Sequence, residues 1–188
     1  FEGDLNGSQI HGNAFYETPF YWSFSLYGNY RPPVMDERRT RGGPVVELAS
    51  ERYTEFYVSS DRRKRVFFEI FPSYGSTGEG GRTRFIGGTM TLQPASNIFL
   101  SFGPRYSDSD QKAQYIREVT DATATHFYGK RYVFSDVNQK TLSMDTRVNV
   151  TFTPTMSLQM FLQPFISSND FSGFKEYART RGSEKLVY

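Results

Sequence analysis

Between Leu142 and Ile166 apolar and polar side chains alternate through two segments joined by one short turn. In residues 142 to 152, Leu142, Met144, Val148, Val150 and Phe152 share one face, with Thr146 as the exception. In residues 157 to 166, Leu158, Met160, Leu162 and Ile166 do the same. The opposite faces carry Ser143, Asp145, Arg147, Asn149 and Thr151, then Ser157, Gln159 and Gln163, with Phe161 and Phe165 between. Successive side chains of a strand point to opposite faces, so this pattern predicts strands that are greasy on one side and wet on the other. Each segment has the roughly 9 to 11 residues that a tilted strand needs to cross a bilayer core. The expected fold class is all-β, an antiparallel transmembrane β-barrel.

The pattern repeats along the chain. Thr91-Leu92-Gln93-Pro94 corresponds to Thr151-Phe152-Thr153-Pro154, and Ile98, Leu100, Phe102 and Tyr106 correspond to Leu158, Met160, Leu162 and Ile166. Val66, Phe68, Ile70, Pro72 and Tyr74 correspond in turn to Ile98, Leu100, Phe102, Pro104 and Tyr106. The repeating unit is one hairpin, a period that soluble repeat folds also use; strand length and one-sided apolarity favour the membrane.

About ten strands are predicted: residues 9–16, 20–30, 45–58, 65–74, 82–93, 98–106, 113–120, 126–135, 140–152 and 157–167. Short turns fall near Glu17–Pro19, Ser59–Lys64, Pro94–Asn97, Asp121–Thr125 and Thr153–Ser157. Longer or glycine-rich connections fall near Arg31–Pro44, Gly75–Gly81, Ser107–Lys112 and Ser168–Gly173, with Asp136–Gln139 as a short one on the same side. Barrels have short periplasmic turns and longer external loops, so the first set is expected inside and the second outside. Glu47, Glu51 and Glu55 on one strand, and Arg117 and Glu118 on another, suit segments that rise above the membrane or face a pore.

Composition narrows the field further. The mean hydropathy of −0.56 is what a chain shows when only alternate residues meet lipid. Thirteen tyrosines and eighteen phenylalanines suit interfacial girdles. The absence of cysteine excludes a disulfide scaffold and a thiolate metal site. A net charge of +2 gives no footprint for nucleic acid. The sequence opens at Phe1 without a methionine or leader and stops at Leu186-Val187-Tyr188 as a strand begins. The expectation is that residues 1–188 are one barrel segment, part of a larger barrel whose partners are the rest of its own chain or other chains.

Tyr132-Val133-Phe134-Ser135-Asp136, Gln139-Lys140-Thr141-Leu142-Ser143, Asp145-Thr146-Arg147, Thr151-Phe152-Thr153-Pro154, Gln163-Pro164-Phe165 and Phe174-Lys175-Glu176 carry a resemblance. They resemble the barrel region of a large uncharacterised family of Gram-negative outer-membrane proteins with an N-terminal carbohydrate-binding-family-nine-like domain. The resemblance covers residues 82 to 181 best. It implies an outer-membrane location and a barrel, and a carbohydrate link for a longer parent; it implies no activity.

Candidate chemistry is sparse. His11 and His126 lack a serine or carboxylate partner at fixed spacing, which disfavours an acyl-transfer enzyme. Asp108 and Asp110 offer too few oxygens for calcium by themselves. Gly78, Gly80 and Gly81 lack the strand-to-helix context and following lysine of a phosphate loop. No cofactor is expected. Arg38, Arg39 and Arg41 form a basic run in the longest external loop and are the candidate lipopolysaccharide contacts, because guanidinium forks pair well with phosphate. Arg62, Arg63, Lys64 and Arg65 are expected to end a hairpin. Glu69, Arg105, Asp145, Arg147, Gln159 and Gln163 fall on the inward parity and are the candidate lumen-lining residues. Charges in a dry interior are costly, so they must pair or meet water. The favoured reading is a porin-like or transporter-like conduit; one alternative is a plugged barrel that anchors a carbohydrate-binding domain, and another, an outer-membrane enzyme, is disfavoured because no triad is visible.

Overall fold

The computed structural model describes residues 7–188; Phe1 lies outside them. Among the described residues thirteen strands follow one another: β1 (Ile10–Glu17), β2 (Ser23–Arg31), β3 (Val34–Asp36), β4 (Val46–Leu48), β5 (Glu51–Ser59), β6 (Val66–Ile70), β7 (Ser73–Thr77), β8 (Arg82–Ala95), β9 (Ile98–Thr120), β10 (Lys130–Thr153), β11 (Met156–Leu162), β12 (Phe165–Tyr177) and β13 (Lys185–Val187). Eleven of them form one sheet in the order β1-β2-β5-β6-β8-β9-β10-β12-β13, with β7 between β5 and β8, and β11 against β10. The short pair β3-β4 stands apart. All pairings are antiparallel. Among the described residues no helix is long and apolar enough to cross a membrane.

β6 with β7, and β11 with β12, are halves of strands interrupted near Pro72 and Pro164. A proline cannot donate to the ladder, so it breaks a strand without ending the sheet. Both prolines still accept through their carbonyls, from the Phe56 N–H at 3.0 Å and the Met144 N–H at 3.1 Å.

The largest departure from the expected strands lies in β9 and β10. Ser107–Lys112 and Asp136–Gln139, expected as loops, run inside these strands, so 98–106 joins 113–120 and 126–135 joins 140–152. Ser107, Asp108, Ser109 and Asp110 pair in register with Thr141, Lys140, Gln139 and Asn138. The residues are polar as in a loop, but each backbone finds its partner on the neighbouring strand. Ser168–Gly173 likewise belongs to β12, opposite the same stretch of β10. One consequence is that Asp121–Thr125 lies at the long-loop end, opposite the turns around 18–22, 60–65, 96–97 and 154–155. The predicted strand 45–58 divides into β4 and β5, and the strand predicted from residue 20 begins at Ser23.

At about 3.3 Å per residue β9 and β10 run for roughly 70 Å, well beyond what a tilted strand needs to cross about 30 Å of hydrocarbon. The unbroken exposed apolar face on them belongs to the half nearer the short turns. There the register lines up one face: Tyr16, Phe24, Val58 and Ile70 are successive cross-strand partners. So are Val66, Leu92, Leu100, Val148 and Met160, and Ile86, Tyr106, Leu142 and Ile166. Thr146, the exception in the sequence pattern, sits between Phe102 and Leu162 in that band. The buried apolar cluster lies elsewhere, at the long-loop end, where Val46, Ala113, Tyr132, Phe134 and Tyr177 pack together.

Candidate functional site

Alternation puts the polar residues of the same strands on the opposite face. Thr91, Ser101, Arg147 and Phe161 form one cross-strand row, and Gly87, Arg105, Ser143 and Phe165 another. Of the expected lumen residues, Arg105 and Asp145 meet: the guanidinium donates to the carboxylate from a diagonal position on the next strand. Glu69 accepts from the Tyr57 hydroxyl at 2.7 Å and from Arg62. Arg62 also reaches Tyr57 at 2.5 Å and Ser59 at 3.2 Å. This arginine, expected only to end a hairpin, therefore joins the Glu69 carboxylate. Arg147 lies 5.0 Å from the Phe161 ring in a cation–π contact. Gln159 stands opposite Asn149, and Gln163 is exposed in the break before β12.

Sequence reasoning missed the aromatic patch beside the central ion pair. Phe71 and Phe85 stack with ring centroids 6.0 Å apart, and the Arg105 guanidinium lies 6.0 Å from Phe71. Gly87 makes room for this, since a Cβ there would come within 2.4 Å of the Phe71 ring. The available signal was parity, because Phe71 alternates with Ile70 and Pro72 of the apolar face.

At the long-loop end the segment from Val34 to Ser50 crosses the sheet. Ser50 accepts from the Gly78 N–H at 2.8 Å beside β7, whereas Val45 accepts from the Arg181 N–H at 2.8 Å beyond β12. β8, β9 and β10 lie between these attachment points in the sheet order. Lys185 and Glu79 close the same span with an ion pair at 2.7 Å. Burial in this cap pushes the Tyr177 hydroxyl up to about 12. Below the cap is a cavity of about 270 Å³ lined by Arg31, Arg39, Glu51, Thr77, Thr83 and Lys112, among others. Two ion pairs line it, Arg31 with Glu51 at 2.6 Å and Lys112 with Asp110 at 2.8 Å, while the Nε atoms of Arg31 and Arg39 are buried without a hydrogen-bond partner.

Of the basic run of the long loop, Arg39 and Arg41 turn their side chains onto the protein and Arg38 stays exposed. Asp36 accepts from the Arg38 and Arg39 backbone N–H groups at 2.6 and 2.7 Å. Arg39 donates to the Ala113 carbonyl at 2.5 Å, and Arg41 stacks 4.5 Å over Tyr115. Asp108 meets Arg84 at 3.9 Å and Asn138 at 3.4 Å. His11 stacks on Tyr27 at 6.3 Å, and His126 lies in a single 3-10 turn, Thr125–Phe127. Among the described residues no three side chains are gathered as metal ligands.

No curated protein and no solved structure matches the chain. The model of the family described as Domain of unknown function (DUF5916) matches residues 2–185, and the chain belongs to that family.

Proposed function

We propose that this chain is wall of an outer-membrane β-barrel in a Gram-negative bacterium, and that its polar face lines a porin-like or transporter-like conduit. The observation that carries the membrane reading is the continuous apolar band. Leu26, Val66, Ile86, Leu142, Met160 and Ile166 remain 46 to 69% exposed on one face, with no element over them among the described residues. A soluble sheet buries such a face, and isolated apolar patches of this breadth mark contact with a partner or with lipid. Eleven residues of tilted strand match the roughly 25 Å apolar band of outer-membrane barrels. Trp22, which meets Phe68 edge-on at 5.4 Å, and Tyr30, Tyr74 and Tyr106 at the opposite margin supply aromatic borders.

The second reading is an anchor with a closed lumen, displaying the carbohydrate-binding domain suggested by the resemblance. The pairing of Arg105 with Asp145 and the cap between β7 and β13 favour it, whereas exposed Arg147, Asn149 and Gln159 favour the conduit.

The chain has no cysteine, so Met160→Cys and Gln159→Cys can each carry a single spin label. In folded protein in bilayers, the Met160 label should be reached by oxygen and the Gln159 label by a water-soluble nickel complex. Equal access to both reagents at both positions would contradict the band. Planar-bilayer conductance of the full-length protein then separates conduit from anchor.

A further inference from the structure

The two margins of the apolar band differ in chemistry. Toward the short turns the band ends in Phe152, Met156 and Trp22. Toward the long loops the next row on that face reads Tyr74, Arg84, Asp108 and Lys140, cross-strand partners from β7 to β10. Arg52 lies one row further out on β5, opposite Tyr30, with its guanidinium 5.8 Å from that ring. Arg52, Arg84 and Lys140 are exposed and stand two strands apart along the sheet, so their Cα atoms follow one another at roughly 10 Å. The carboxylate among them, Asp108, is half withdrawn and reaches Arg84 only at 3.9 Å. Arg52 and Lys140 have no carboxylate within ion-pair distance among the described residues.

We infer that Arg52, Arg84 and Lys140, with Tyr30 and Tyr74, form a collar that binds the phosphates of lipopolysaccharide where the acyl chains lie on the apolar band. This inference rests on the membrane reading above and adds its partner. A ligand that covers both surfaces must join hydrocarbon to an anionic head across one boundary, which a free phosphate or a nucleotide does not do. Guanidinium groups bind phosphate through paired N–H donors, the lysine supplies a point charge, and the tyrosines span the boundary with an apolar ring and a polar hydroxyl. The contact falls on the sheet itself, whereas Arg39 and Arg41 are engaged with β9.

The test uses full-length protein folded into phosphatidylcholine vesicles doped with bisphosphorylated lipid A, dephosphorylated lipid A or phosphatidylglycerol. Lipid retained per folded protein is measured after detergent extraction. The triple variant Arg52→Gln, Arg84→Gln, Lys140→Gln should retain bisphosphorylated lipid A about tenfold less than wild type, since each basic group near an anionic surface contributes appreciably. Exchanging Arg and Lys at the three positions should preserve most of the retention, and wild type should retain dephosphorylated lipid A no better than the triple variant does. If the triple variant loses heat-modifiable folding, Lys140→Gln alone is read instead, with a smaller loss expected. Equal retention by wild type and variant overturns the collar, and equal retention of phosphatidylglycerol and lipid A by wild type overturns its assignment to lipopolysaccharide. Failure of wild type to float with undoped vesicles overturns the membrane reading and the collar together, so the two failures are distinguishable.

Discussion

Arg105 on β9 and Asp145 on β10 are forty residues apart in the chain and form an ion pair on the polar face. The second oxygen of Asp145, Oδ1, is buried without a hydrogen-bond partner, and the side chains are 35 and 18% exposed. The pair therefore sits between the limits of a wet surface bridge and a dry one. Asp145→Asn should destabilise the folded protein by roughly 1 to 2 kcal/mol, since it leaves a partly buried guanidinium without its counter-charge. The shift in heat-modifiable mobility against temperature reads this directly.

Arg147 is paired with a ring instead of a carboxylate, so it is the charge on this face best suited to act on ions in transit. In a conduit, Arg147→Glu should shift conductance toward cations, because fixed charges in a pore act directly on permeating ions. Absence of conductance from wild type, with a mutant that only melts earlier, would leave the anchor as the better account.

Met160 and Gln159 are adjacent but belong to opposite faces, with Val148 and Asn149 as their respective partners. Met160→Arg should reduce folding into bilayers by roughly 2 to 4 kcal/mol, the range for arginine at the midplane of a lipid face, and Gln159→Arg by much less. Comparable folding yields for the two variants would contradict the assignment of faces.

Among the described residues β1 has no partner beyond β2, and Met156–Leu162 of β11 pairs only with β10. Open edges leave unpaired N–H and C=O groups, which hydrocarbon does not tolerate. The 188-residue chain refolded alone in detergent should therefore give associated species in light scattering. A monodisperse closed monomer would show that the edges meet.

Asp121 lies in the turn that joins β9 to β10. Hydrogen bonds from Thr123, at 2.6 Å from its hydroxyl and 2.9 Å from its N–H, followed by Arg131, hold its carboxyl down to about 2. The unfolded value is near 3.9, so the contribution of this turn is complete above about pH 4 and is lost as pH falls through about 2. The difference in melting temperature between wild type and Asp121→Asn should be constant down to about pH 4 and shrink below it. A difference that grows on acidification would have the wrong sign.

Alternation alone determined which residues share a face in the apolar half of the sheet. A strand repeats every two residues whatever surrounds it, so Leu142, Met144 and Val148, and likewise Leu158, Met160 and Leu162, needed no knowledge of partners. That Arg105, Asp145 and Arg147 share the polar face followed from the same rule. The prolines at 72 and 164 lay inside the predicted strands 65–74 and 157–167 and interrupt them, because a missing N–H is a local break in the ladder.

Tertiary structure decided what local composition cannot carry. Ser107–Lys112 and Ser168–Gly173 have the polar residues of loops, yet they are strands because β10 offers each a ladder of hydrogen bonds, a non-local interaction. The closing of Arg105 on Asp145 and of Arg62 on Glu69 depends on register between strands. The cap depends on the meeting of Val45 with Arg181 and Ser50 with Gly78, contacts between segments that short-range pattern treats as unrelated. Period two is written residue by residue, whereas register and loop packing exist only once distant backbone groups have found each other.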